Sequence, residues 1–217
     1  MLAAVRGGLI VSCQAQAGEP LHGDAHMAVM ARAAAQGGAR AIRCESPADI
    51  RAIRATVHLP LIGLWKLGES GVMITPTCDA VRAVIDAGAD MVAIDATDRP
   101  RPATVAELIE TAHALGKPVL ADVSTLEEGL AAEAAGADVV APTLSGYTGG
   151  PVPEAPDWGL LKALCESARV PVFMEGRIWT PEDAARALEM GAWAVVVGSA
   201  ITRPQLITRR FARALER

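Results

Sequence analysis

Polar side chains stand where eight short apolar segments of the chain end, and they are the candidates for chemistry. They are Gln14, Arg43, Lys66, Asp95, Asp122, Thr143, Glu175 and Ser199. Any one of them alone could be a solvated loop residue, and Asp122 could equally cap a helix. Because several unpaired charges are too costly to bury, we interpret the set as the lining of one polar pocket.

Two members of this set, Lys66 and Glu175, suit proton transfer. They follow the third and the seventh apolar segments, which would face each other in an eight-stranded ring. A ligand between them could lose a proton from one carbon and regain a proton there. We expect burial and nearby Arg43 or Arg177 to lower the pKa of Lys66 more than Glu175 raises it, so that Lys66 can act as a base. The alternative is an ion pair that bridges the barrel.

The last two apolar segments end in glycines that suit an anion. Gly176 precedes Arg177, and Gly198 precedes Ser199 with Arg203 shortly beyond. Glycines allow close approach of the backbone, and the N–H groups that open a helix attract phosphate. Arginines add charge-assisted hydrogen bonds. These segment ends therefore predict a phosphate site and, with the acid–base pair, a small phosphorylated ligand.

The elements that must position these residues follow from the hydrophobic pattern. Short apolar runs alternate with helical segments, which is typical of buried parallel strands covered by helices. The predicted strands are 8–13, 40–44, 61–65, 91–95, 119–123, 139–143, 172–175 and 194–198, with helices such as 103–115, 126–135 and 180–190. Gly-Ala pairs at Gly38, Gly88, Gly136 and Gly191 recur at nearly equal spacing. An open sheet could use eight strands, but this even repeat favours a closed (β/α)₈ barrel, a TIM barrel, as a single domain over residues 1–217.

Composition argues against several classes of function and of binding partner. The chain is 51% apolar with only 3% aromatic residues and a net charge of −5, so a nucleic acid is not an expected partner. The four cysteines form no CxxC pair and predict reduced thiols in a cytoplasmic protein. His22 and His26 are four residues apart, but no acidic partner completes a metal motif. The apolar stretch 190–202 is shorter than the about 20 residues of a spanning helix, so we expect neither a membrane anchor nor export.

One segment rich in glycine and proline, 145–156, follows the sixth strand. Its one charged residue is Glu154, and we expect little to hold the segment to the core. It is therefore predicted to be a mobile lid that closes over bound ligand.

At these residues the sequence resembles the N-acetylmannosamine-6-phosphate 2-epimerase family, over almost the whole chain. The resemblance is carried by the segments 11–14 (VSCQ), 18–20 (GEP), 95–102 (DATDRPRP), 121–129 (ADVSTLEEG), 143–148 (TLSGYT), 175–177 (EGR) and 196–204 (VVGSAITRP). Two positions differ from the usual pattern of the family. Leu67 and Gly68 stand where an Arg-Asp pair is usual, and Cys44-Glu45-Ser46 replaces Ala-Asn-Ser, which brings an acidic side chain near the substrate.

The resemblance implies a barrel of the ribulose-phosphate-binding type that interconverts N-acetylmannosamine 6-phosphate and N-acetylglucosamine 6-phosphate in sialic acid breakdown. It implies no metal and no organic cofactor. The catalytic lysine carries over to Lys66 and the active-site glutamate to Glu175. Substrate contacts carry over to Gln14, Arg43 and Asp122, and phosphate contacts to Gly176, Arg177, Gly198, Ser199 and Arg203.

Two rival interpretations remain. An amine on a barrel strand could instead form a Schiff base with an open-chain sugar, as in an aldolase. A barrel that only senses a sugar phosphate is a third interpretation, although Lys66 and Glu175 argue against it. The sequence leaves the oligomeric state open, with a homodimer as the candidate.

Overall fold

Eight parallel strands form the centre of the structure, a computed structural model that describes residues 1–149 and 152–216. The strands are β1 (Leu9–Cys13), β2 (Ala41–Glu45), β3 (Leu61–Leu64), β4 (Met91–Asp95), β5 (Val119–Asp122), β6 (Val139–Ala141), β7 (Phe173–Glu175) and β8 (Ala194–Val197). Neighbouring strands follow the order β6-β5-β4-β3-β2-β1-β8-β7. A parallel bridge between Val140 and Val172 joins β6 to β7 and closes the ring. The predicted (β/α)₈ barrel is therefore confirmed.

Helices surround the strands. They are α1 (Leu2–Val5), α2 (Asp24–Gln36), α3 (Pro47–Arg54), α4 (Cys78–Asp86), α5 (Val105–Ala114), α6 (Leu126–Ala134), α7 (Trp158–Ser167), α8 (Pro181–Glu189), α9 (Ser199–Thr202) and α10 (Pro204–Leu215). The predicted helix 103–115 starts two residues later, because the Thr104 hydroxyl accepts a hydrogen bond from the Glu107 N–H at 3.2 Å and caps the helix. The helices 126–135 and 180–190 are confirmed to within one residue at each end.

The Gly-Ala pairs end helices as predicted. The glycines of all four pairs have positive φ, for example +112° at Gly88 and +104° at Gly191. Such backbone suits glycine and reverses the chain from a helix into the next strand. Each pair thus sets where one strand of the barrel begins.

Side chains along each strand point alternately outwards and inwards, and they form two separate hydrophobic cores. Residues that point outwards, such as Ile42, Val92 and Val140, pack against the helices. The inward residues form a second cluster that fills the barrel: Ile10, Ala41, Ile62, Leu64, Met91, Ala93, Leu120, Val139, Ala141, Phe173, Ala194 and Val196 are all in it. Two residues further along, the same inward face carries polar groups, among them Arg43 after Ala41 and Glu175 after Phe173. The period of two therefore places the polar set at the carboxyl end of the barrel.

The segment after β3 turns back on itself and places Lys66. Lys66 pairs with Ile74 in an antiparallel bridge, and the Thr75 N–H donates to the Trp65 carbonyl at 2.8 Å. The Asp95 N–H in turn donates to the Ile74 carbonyl at 3.0 Å, so this hairpin, 65–75, also bonds to β4. Lys66 thus lies beyond the regular strand, on a hairpin that is bonded to its neighbour.

Candidate active site

A buried arginine joins three strands at the carboxyl end of the barrel. Arg43 of β2 forms ion pairs with Asp122 of β5 and Glu175 of β7, and only 1% of its side chain is exposed. Its Nη1 also donates to Asp122 Oδ1 at 3.0 Å, so the contact with Asp122 is bidentate. The Thr143 hydroxyl donates to the same Asp122 oxygen at 2.6 Å. One guanidinium therefore orients both carboxylates.

The two carboxylates of this cluster differ in their access to ligand. The Asp122 side chain is fully buried, whereas 14% of the Glu175 side chain is exposed. Burial, opposed by Arg43, raises the pKa of Glu175 to about 7. Glu175 can therefore hold or release a proton near neutral pH. Asp122 pairs with Arg43 and does not line the cavity, and its predicted contact with substrate stays a prediction.

Lys66 approaches the same pocket from the opposite side of the ring. Its Nζ donates to Gln14 Oε1 at 2.7 Å, and the Gln14 amide donates to the Ser12 hydroxyl at 2.9 Å. Burial lowers the pKa of Lys66, Glu45 raises it, and Arg43 and Arg203 lower it further. The net direction is downwards, as the sequence predicted, although Glu45 was not foreseen as an opposing charge and Arg203 takes the place of Arg177.

A cavity of about 300 Å³ opens between these groups. Its lining includes every predicted site residue except Asp122: Gln14, Arg43, Lys66, Glu175, Gly176, Arg177, Gly198, Ser199 and Arg203. Sequence reasoning missed the apolar part of the wall, which includes Leu144, Tyr147 and Trp179. It also missed Ser12, which the alternation of β1 would have placed inwards, two residues after Ile10.

The predicted anion end lies where β7 and β8 stop. Gly176 has a φ of +117°, and Gly198 precedes the first turn of α9. Arg203 forms an ion pair with Glu19 at 3.0 Å, and Gln16 donates its N–H to the same glutamate oxygen at 2.7 Å. The loop after β1 thus holds Arg203 at the rim of the pocket, a role for Glu19 that the sequence analysis did not assign.

Arg177 has other contacts than those predicted. Its Nε donates to the Ala155 carbonyl at 2.6 Å, its Nη1 donates to the Ser145 carbonyl, and its guanidinium stacks on Tyr147. The expectation that little holds the segment 145–156 to the core is therefore wrong at Ser145 and Ala155. Gly150 and Pro151 of that segment lie outside the described residues, and the closure of a lid stays a prediction.

Two further polar sets lie away from the pocket. Asp95, expected in the polar lining, is 1% exposed and instead binds Arg99 at 2.6 Å and the Thr97 hydroxyl at 2.6 Å. His22 precedes α2, so the two histidines do not share a helix face, and their ring nitrogens contact the Ala15 and His22 carbonyls.

Among residues 1–149 and 152–216, no three His, Cys, Asp or Glu side chains are grouped as metal ligands. In the same residues we find no helix with the length and apolarity needed to cross a membrane.

The fold and this pocket define a (β/α)₈ barrel with an acid–base site at the carboxyl ends of its strands. A family model described as "Putative N-acetylmannosamine-6-phosphate epimerase" matches residues 27–217. The chain belongs to this family.

Relatives and solved structures agree with this assignment. A protein of Caldanaerobacter subterraneus, named "Putative N-acetylmannosamine-6-phosphate 2-epimerase", is 52% identical over 95% of this chain and 90% of its own length. The solved N-acetylmannosamine-6-phosphate 2-epimerase from Clostridium perfringens is 46% identical, with a TM-score of 0.96 over 99% of this chain and 96% of that one. Thiamine phosphate pyrophosphorylase from Pyrococcus furiosus, at 20% identity and a TM-score of 0.60, shares the fold alone.

Replacing Arg43 with methionine should lower the free energy of unfolding by about 3–5 kcal/mol at neutral pH, because two buried carboxylates lose their cation. Burial already raises the pKa of Glu175 to about 7, and without Arg43 that pKa would lie still further above its value in the unfolded chain. The penalty is then greatest at high pH and disappears as pH falls towards the unfolded values. Urea denaturation followed by circular dichroism should show the difference from wild type shrinking between about pH 8 and pH 5.

The matched control is Arg82→Met, since Arg82 pairs with Asp79 on the surface, where the two side chains are 54% and 95% exposed. Its effect should stay within about 0.5 kcal/mol. A loss for Arg43→Met that is equally small, or that does not depend on pH, would contradict the proposed role of the buried cluster.

Proposed function

We propose that the protein interconverts N-acetylmannosamine 6-phosphate and N-acetylglucosamine 6-phosphate as a single catalytic domain, in amino sugar breakdown. The observation that carries the proposal is the pocket itself. Lys66 and Glu175 approach it from β3 and β7, four strands apart in the ring, and Arg203 stands at its glycine-lined end. The names of the relatives point to the same reaction.

The chemistry needs an acidic proton and two sites of proton transfer. The proton at carbon 2 becomes acidic once the sugar ring is open and carbon 1 is an aldehyde. Lys66, whose pKa burial lowers, takes this proton as the neutral amine and leaves an enolate. A proton then returns to carbon 2 on the opposite face, which inverts that centre. These steps use side chains alone and assign no role to a metal or an organic cofactor.

Glu175 is suited to the other half of the reaction. Its pKa of about 7 lets it give up a proton and regain one at neutral pH, and Arg43 holds its carboxylate in one place. It either protonates the opposite face of carbon 2 or carries protons to and from the sugar oxygens. We assign Gln14 to a substrate contact beside Lys66, and its hydrogen bond to Lys66 and its position in the cavity wall support this assignment.

The phosphate belongs at the ends of β7 and β8. Gly176, Gly198 and Ser199 offer backbone N–H groups there, and Arg203 supplies a positive charge. Because Arg177 already binds two carbonyls of the segment 145–156, we assign it to holding this segment, with its phosphate contact secondary.

The variant Lys66→Ala should still bind N-acetylmannosamine 6-phosphate but lose epimerisation by at least about a hundredfold, because the base is gone. Deuterium uptake from heavy water at carbon 2, followed by NMR, should fall with it. The control Lys162→Ala removes an exposed lysine of α7 and should exchange like wild type.

Wild-type exchange in Lys66→Ala would show that Lys66 is not the base. Borohydride added with substrate to the wild-type enzyme should trap nothing on Lys66, and a trapped adduct would favour the aldolase instead.

Replacing Arg203 with alanine should raise KM for the phosphorylated sugar about tenfold or more, since a charge-assisted phosphate contact is lost, while the melting temperature changes little. Arg209→Ala, an exposed arginine of α10, is the control and should leave KM unchanged. Steady-state kinetics in both directions would measure the effect. An unchanged KM in Arg203→Ala would remove the phosphate assignment.

We also propose that the protein is a cytoplasmic homodimer. Its four cysteines are free thiols, as in a reducing compartment. The helix α10 has no buried residue among those described, and Phe211 and Leu215 are 73% and 81% exposed. Apolar side chains exposed in this way mark surfaces that pair with another chain.

The variant Phe211→Asp should therefore shift the mass measured by light scattering from two chains towards one. Phe211→Leu keeps the surface apolar and should remain a dimer. A wild-type chain that is monomeric at micromolar concentration would refute the homodimer.

A further inference from the structure

A second carboxylate, that of Glu45, lies next to Lys66. Glu45 ends β2, two residues after Arg43, so the alternation of the strand turns it to the inner face. Its Oε2 lies 3.9 Å from Lys66 Nζ, and 18% of its side chain is exposed. Among the described residues, Lys66 is its one ion-pair partner within 4.0 Å. Glu45 is not among the residues that line the cavity, although Lys66 and Gln14 are.

The direction of the Lys66 side chain makes this contact more than incidental. Lys66 follows β3, but its Nζ reaches Gln14, which follows β1. In the ring, β2 lies between these two strands, so the lysine must cross β2 to reach its partner. Glu45 is the residue of β2 that lies beside that path.

Charges on several elements act on the Lys66 amine. Arg43 of β2 and Arg203 at the start of α10 repel its protonated form, while Glu45 and Glu175 attract it. Asp49 of α3 lies near Glu45 in turn, and burial followed by the charge of Glu45 raises its pKa to about 6. Of these groups, only Glu45 forms an ion pair with the lysine itself.

We propose that Glu45 is a positioning residue for the epimerisation, whose carboxylate steers Lys66 across β2 and holds its amine beside Gln14 at the pocket. The proposal rests on the proposed function, in which Lys66 is the base. A base must release the proton that it takes, which works best when its pKa is near the working pH. Burial and two arginines alone would make the amine a weak base, and the negative charge of Glu45 counters them.

The test uses Glu45→Gln in the full-length enzyme, with two readouts. The first is competitive labelling of amines by acetic anhydride across pH, with the Lys66 peptide quantified by mass spectrometry, which reports the pKa of Lys66 without turnover. Losing an anion at this distance should lower that pKa by about one unit. The second readout is the pH profile of kcat/KM, whose acidic limb should move to lower pH by the same amount. The plateau of kcat should fall about tenfold, with KM within about twofold.

Three variants separate this role from a general effect. Glu45→Asp keeps the charge and should keep both the labelling pKa and the acidic limb close to wild type. Glu69→Gln removes an exposed carboxylate three residues from Lys66 and should change neither. Asp49→Asn should leave the labelling pKa unchanged, since Asp49 forms no ion pair with Lys66 among the described residues and is not among the charges that shift the pKa of Lys66 most.

An unchanged Lys66 pKa in Glu45→Gln would overturn the proposal. So would an acidic limb of the kcat/KM profile that moves in Asp49→Asn but not in Glu45→Gln. A wild-type enzyme that does not epimerise the sugar phosphate would overturn the proposed function. That failure is distinguishable, because the labelling experiment reads Lys66 whether or not the enzyme turns over.

Discussion

A buried carboxylate, Asp122, and a largely buried one, Glu175, lie at the carboxyl end of the barrel, and Arg43 is the cation that stabilises both. A buried carboxylate without a cation costs several kcal/mol, so Asp122 and Glu175 depend on the guanidinium that contacts them both. The same cation joins β2, β5 and β7, and it fixes Glu175 in one orientation. One cation thus links three strands and orders the acidic side of the site.

The lysine side of the pocket is built on a different principle. Glu175 is held by one ion pair with the buried Arg43, whereas Lys66 is on a hairpin, bonded to Gln14 and flanked by Glu45. Burial and the nearby arginines push the pKa of Lys66 down, and that of Glu175 is pushed up by burial, so the two approach neutrality from opposite directions. The proposed epimerisation uses these two groups to remove a proton from carbon 2 and to return one.

Arg177 and Arg203 are both predicted to bind phosphate, but the loops around them give them different contacts. Arg203 forms an ion pair with Glu19 and lines the cavity. Arg177 donates instead to carbonyls at both ends of the segment 145–156. Each guanidinium has five N–H donors, and those given to backbone carbonyls are not free for an anion. In the sequence, β7 and β8 end alike, in Gly176-Arg177 and in Gly198-Ser199 with Arg203 beyond. The residues that contact Arg177 and Arg203 in space are nevertheless different.

The sequence by itself determined the barrel, since apolar runs, Gly-Ala pairs and prolines have a local physical meaning that needs no distant contact. It also placed Lys66, Arg43 and Glu175 at one end of the barrel, because alternation along a strand is a local property too. Only the tertiary structure decided that Asp122 supports Arg43, that Asp95 turns to Arg99, and that Glu45 lies beside Lys66. Asp122 and Arg43, like Glu45 and Lys66, lie far apart in the chain, so burial and charge pair them only once the strands have closed into a ring, whereas Asp95 and Arg99 are four residues apart and meet through the turn that follows β4.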